Sequence, residues 1–97
     1  MVTRQDLVDN GYEDVLLIEG DYTLSALVGI SSDRRAIYDY NLLVEAFMEG
    51  NNWSEEEAVE WIENNVICVH FEEGNEPIYI TESFVNYNFK DSKELIL

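Results

Sequence analysis

Three groupings in the sequence hold residue types able to do chemistry. Cys68 and His70 alternate within "VICVHF", so on a strand both would point to one side. A metal centre needs further ligands at suitable spacing, and the chain has one cysteine and one histidine in all. That pair is expected to be core. The stretch "EGNNWSEEEAVE" is rich in carboxylates, yet it lacks the alternating Asp/Asn ligands and central glycine of a calcium loop. The third grouping, "WSEEEAVEWIEN" at residues 53–64, sets Glu55, Glu56, Glu57, Glu60 and Glu63 beside Trp53 and Trp61. No glycine-rich phosphate loop, serine elbow or zinc-protease motif accompanies them. With a single histidine, acid–base catalysis would rest on paired carboxylates, and nothing local arranges such a pair. Neither a cofactor nor a metal is expected, and the chain does not read as an enzyme.

The acidic stretch therefore poses a question about a surface. Ser54 and Glu57 form a capping box, which starts a helix over 54–64. Glu55, Glu56 and Glu57 fall in its first turn, where the helix dipole favours negative charge. Ala58, Trp61, Ile62 and Val59 make the apolar side, so Trp61 is expected in the core. Trp53, just before the cap, would staple onto Ala58 or Val59. Glu56, Glu60 and Glu63 are left on the wet side, with no lysine or arginine at helical spacing to relieve them. Two readings stand: a solvated face, or an anionic ridge that meets a basic groove as phosphates would.

Charge throughout the chain bears on that choice. The 97 residues carry 21 acidic and 5 basic side chains, a formal charge of -16. Such a charge opposes compaction through self-repulsion. It disfavours direct binding to nucleic acid or an anionic membrane and suits a basic protein surface. After Arg34 and Arg35 no lysine or arginine occurs until Lys90. Glu49, Glu72, Glu73 and Glu76 lie in that gap and would flank the ridge of Glu55, Glu56, Glu60 and Glu63. No secretory leader is recognisable in "MVTRQDLVDNGYEDVLLIEG", no apolar run would span a bilayer, and a cytoplasmic setting is expected.

The elements that must position these residues are one domain's worth, 1–97. Thr3 caps a short helix through Asp9, stopped by Asn10-Gly11. "VLLIE" reads as a buried strand and "TLSALVGIS" as a second, with Leu24, Ala26 and Val28 on one face. A hairpin turn at Asp33-Arg34-Arg35, its arginines exposed or paired to nearby acids, leads into "AIY". Asp39 caps a helix over 40–49 with Leu43, Val44, Phe47 and Met48 inside, closed by Gly50-Asn51-Asn52. "VICVHF", the turn "EEGNEP" and the strand "IYIT" follow the acidic helix. The sum is an α+β fold: a mainly antiparallel sheet of four to five strands with two central helices packed on one face.

At "GYEDVLLIEG", "SALVGIS" with "RRAIYDYNLLVEAFME", and "WSEEEAVEWIENNVI" the chain resembles a family of short acidic proteins. These are encoded by phages, prophages and mobile elements of low-GC Gram-positive bacteria. The family pattern runs G-Y-E-D-V, I-G-V-S, R-A-V-Y-D-Y and E-E-A-x-E-(F/W)-I-x-x-N. Residues 11–15, 29–31, 35–40 and 56–65 fit it, and the tail "ESFVNYNFKDSKELIL" departs from it. The resemblance implies a mobile-element setting. Small acidic phage proteins include anti-CRISPR proteins that occupy the DNA-binding surface of an effector, an analogy of class and charge. The function so implied is inhibition of a host nucleic-acid-binding defence protein, a CRISPR–Cas effector, by an acidic surface that competes with nucleic acid. The alternative is a generic interaction or structural module of a mobile element, as a homodimer, whose charge serves solubility.

Overall fold

In a computed structural model, which describes residues 1–67 and 74–82, the chain begins with α1, Arg4–Asp9. Thr3 caps it as expected: its hydroxyl accepts from the Asp6 N–H at 3.1 Å, and the Asp6 carboxylate accepts from the Thr3 N–H at 2.8 Å. Asn10 closes it, and Gly11 at φ +82° turns the chain where a side chain would strain the backbone.

Residues 15–19 are not a strand. Their donors are met elsewhere: the Val15 N–H binds the Tyr12 carbonyl, and the Ile18 N–H binds the Tyr38 hydroxyl at 3.0 Å. The next segment is also not the strand expected. Asp21–Ala26 winds as a 3₁₀ helix, because Thr23 Oγ1 donates to the Gly20 carbonyl at 2.7 Å and Ser25 Oγ donates to the Tyr22 carbonyl at 3.0 Å. Hydroxyls bonded to nearby backbone compete with a ladder, and here they win.

The sheet has three strands among the described residues: β1 Leu27–Ile30, β2 Ala36–Asp39 and β3 Ile78–Ile80, in that order. β1 and β2 form the expected antiparallel hairpin, but a bulge between Leu27 and Gly29 slips the register. Val28 is the extra residue and is exposed, whereas Leu24 and Ala26 are buried. β2 pairs β3 in parallel, Ile37 opposite Ile78 and Tyr38 opposite Tyr79. The sheet is thus mixed and smaller than the antiparallel four to five strands expected. Parallel pairing follows from the crossover: the chain leaves β2 through two helices before it returns as β3. Val66 and Ile67 belong to a π-helical turn, not a strand, and residues 68–71 of "VICVHF" lie outside the described residues.

Those helices are α2, Tyr40–Asn51, and α3, Glu55–Ile62. Asp39 caps α2 by accepting from the Leu42 N–H at 3.0 Å, and Asn52 ends it in the left-handed conformation. Leu43, Val44, Ala46 and Phe47 are buried at helical spacing. Gly50 lies inside α2 rather than beyond it, and the Tyr22 ring rests on its backbone; a Cβ there would stand 2.6 Å from the ring. The core joins Val15, Ala26, Ala36, Tyr38, Leu43, Val44, Phe47, Ala58, Ile62 and Val66.

Tyr38 and Tyr79 stack at 6.4 Å across β2 and β3, yet their hydroxyls differ. That of Tyr38 accepts from Ile18, whereas that of Tyr79 is buried and has no partner among the described residues. Tyr38→Phe is expected to cost about 1–2 kcal/mol, since it orphans a backbone N–H, and Tyr79→Phe to be neutral or stabilising in urea unfolding. Burial pushes the Tyr79 phenol up to about 12 from 10.0. An acid whose folded pKa is raised favours the folded state below its unfolded pKa. Stability is therefore lost as pH rises from 10 toward 12, and Tyr79→Phe should blunt that loss.

Candidate functional site

The acidic helix begins as its sequence requires. Ser54 Oγ accepts from the Glu57 N–H and Glu57 Oε1 accepts from the Ser54 N–H, both at 3.2 Å. Ala58 and Ile62 are fully buried. With those two inward, at about 100° per residue Glu60 points directly away from the core and Glu56 nearly so. Trp61 falls about 80° from the buried midline, at the edge of the apolar stripe. It is 44% exposed, so its expected place in the core is corrected. Val59 is half-buried.

Trp53 is held more firmly. Its N–H donates to the Met48 carbonyl at 3.0 Å, and its ring stacks on Phe47 at 6.4 Å with 8° between planes. The Trp61 ring stands 5.4 Å from it, tilted by 50°. Tyr22 meets the other end of this row, edge-on to Phe47 at 5.5 Å. The aromatic row runs from the core out to α3 and ends in a half-exposed indole.

After Ile62 the chain loosens into the π-helical turn Glu63–Ile67. Asn64 Nδ2 donates to the Glu60 carbonyl at 2.9 Å and Asn65 Nδ2 to the Trp61 carbonyl at 3.2 Å, which meets carbonyls at the widened end. Both asparagines join Trp53, Glu57, Glu60 and Trp61 around a hollow of about 280 Å³. Glu55, Glu56 and Glu60 gather with Ser54 and Val59 around a second depression, of about 680 Å³. On its far side Trp61 borders a third, of about 500 Å³, lined by Leu17, Ile18, Tyr22, Phe47 and Val66.

The expected site residues divide accordingly. Glu55, Glu56 and Glu60 are brought together, exposed and without a cation among the described residues. Glu49 is exposed near the end of α2. Glu63 accepts from the Tyr40 hydroxyl at 2.8 Å, which, after burial, helps raise the Tyr40 pKa. Glu76 is met by Arg35 Nη1 at 3.6 Å and so belongs with the paired charges. Glu72 and Glu73 lie outside the described residues, as do Cys68 and His70. Among the described residues no group of three or more His, Cys, Asp or Glu side chains could hold a metal ion. None of the described helices is long and apolar enough to cross a membrane.

All three described arginines are engaged away from α3. Arg4 pairs with Asp21, and Arg35 binds Asp33 at 3.0 Å as well as Glu76. Arg34, at φ +66°, pairs with Asp14, donates to the Gly11 carbonyl at 2.6 Å and covers the Tyr12 ring at 5.2 Å. Its hydrogen bond holds the Asp14 carboxyl below the usual range. The hairpin arginines thus meet acids as expected, and α3 has none. Charge order along the chain foretold that separation. The exposed Trp61 was missed because a period-based stripe does not resolve its edge.

Comparison of the chain with protein-family models, curated proteins and solved structures returns no match.

The two tryptophans should respond differently to substitution. Trp53→Ala is expected to cost roughly 2–3 kcal/mol by emptying the space against Phe47. Trp61→Gln should stay within about 1 kcal/mol. Urea unfolding followed by circular dichroism measures both, and equal losses would place Trp61 in the core after all.

Proposed function

We propose that this protein inhibits a host nucleic-acid-binding defence protein, a CRISPR–Cas effector, by laying the outer face of α3 on lysines and arginines that otherwise grip phosphates. One observation carries the reading. Glu55, Glu56 and Glu60 are exposed on α3 with no cation near, while every described arginine is paired elsewhere. First-turn placement supplies a local reason for Glu55 and Glu56, since each gains roughly 0.3–1 kcal/mol from the dipole. Glu60 has no such reason. It sits one turn from Glu56 and three residues from Glu57, and each like-charge pair costs roughly 0.2–0.5 kcal/mol. A basic partner surface would relieve that repulsion on contact, which makes the free face a store of binding energy.

The inhibition is steric and electrostatic. Carboxylates recurring every ~6 Å along the helix axis give about half the line density of charge of one DNA strand. The face therefore competes with a short run of phosphates rather than imitating a duplex. Glu63 follows at the end of α3 with part of its charge already answered by Tyr40, and Glu49 is exposed near the end of α2.

The test uses purified, guide-loaded effectors and a labelled target duplex. One effector is expected to lose DNA binding when the protein is added first, and to resist when DNA is bound first. Raising salt from 50 to 200 mM should weaken the protein–effector complex at least tenfold. Glu56→Lys with Glu60→Lys should abolish inhibition while the circular dichroism spectrum is kept. A double variant that inhibits like the parent removes α3 from the contact.

A further inference from the structure

The hollow between Trp53 and Trp61 differs from the rest of the acidic face, because it has aromatic walls as well as charge. The two indoles meet at 5.4 Å with 50° between their planes, Trp61 half-exposed and Trp53 backed by Phe47. Glu57 and Glu60 stand on its rim with Asn64 and Asn65. Glu57 uses Oε1 for the Ser54 N–H and has no cationic partner among the described residues. Both asparagine nitrogens donate to backbone carbonyls, which leaves their oxygens as acceptors. The rim is therefore made of acceptors and anions, beside the half-exposed Trp61 indole.

We propose that this hollow seats an arginine side chain of a partner protein, its guanidinium stacked on Trp61 and its N–H groups meeting Glu57 and Glu60. Guanidinium is planar, always charged, rich in donors and without an acceptor, so it satisfies walls and rim together. Lysine, a compact and strongly hydrated ammonium, satisfies the rim alone. An anion meets the carboxylates and is repelled. The inference rests on the reading of α3 as a surface for a basic protein, and it names the side chain that would anchor there. It also accounts for a tryptophan held half out of the core beside two carboxylates, a residue type that concentrates binding energy at interfaces.

The experiment compares nona-arginine with nona-lysine on the full chain by calorimetry, with two-dimensional NMR of the indole N–H groups. The chain has two tryptophans, both in the hollow, so each indole signal reports on the site. Nona-arginine is expected to bind about five- to tenfold more tightly and to shift both signals. Trp61→Leu and Glu57→Gln should each bring it toward the nona-lysine affinity. Glu57→Gln retains the capping side chain, so loss of the fold does not explain its effect. Equal binding of the two peptides, or unmoved indole signals, overturns the arginine seat and leaves the acidic face standing if Glu56→Lys with Glu60→Lys abolishes binding of both. Arginine preference without inhibition of any effector upholds the seat and sinks the proposed target.

Discussion

Burial of Ala58 and Ile62 is the constraint on which the candidate surface depends. Both are fully buried against the core, and together they set the rotation of α3 about its own axis. A helix so clamped has no freedom over its outer residues. Glu56 and Glu60 face water because Ala58 and Ile62 do not, and Trp61 is placed at the margin by the same geometry. The capping box sets where the helix begins, and the buried pair sets which way it faces.

That clamp is sustained from α2. Phe47 is buried beneath the aromatic row, Trp53 stacks on it, and the Trp53 N–H closes on the Met48 carbonyl. The connection between the helices is thereby short and braced on both sides. Tyr22 reaches the same row only because Gly50 has no side chain. One glycine inside a helix, which costs about 1 kcal/mol relative to alanine, is thus tied to an aromatic contact that spans the 3₁₀ segment and α2.

The distribution of charge has a mechanical side as well. None of the few described cations pairs with α3. Instead Arg34 binds the loop around Gly11 and Asp14 to the hairpin turn, and Arg35 ties that turn toward Glu76 ahead of β3. The pairs are exposed and individually weak. Their value lies in joining segments distant in the chain while α3 stays unanswered.

Helices were legible in the sequence because their signals are local. Thr3, Asp39 and Ser54 are cap residues by type and position, and each accepts a backbone N–H near 3 Å. The hairpin and the strand "IYIT" were legible for the same reason. The apolar runs at 15–19 and 23–26 misled, since hydrophobicity reports burial and not whether a ladder partner exists. Val15 and Leu24 are indeed buried, in irregular and 3₁₀ backbone.

The exposed glutamates of α3 were legible, and the tryptophan pair was not, because the exposure of Trp61 depends on how α3 is turned. By itself, then, the sequence determined the helix starts, the caps and the polarity of charge along the chain. Each of these is decided within a few residues. Tertiary structure decided the parallel pairing of β2 with β3, the engagement of the arginines and the contact of Trp53 with Trp61. Those depend on which surfaces meet across long stretches of chain, and no local pattern specifies that meeting.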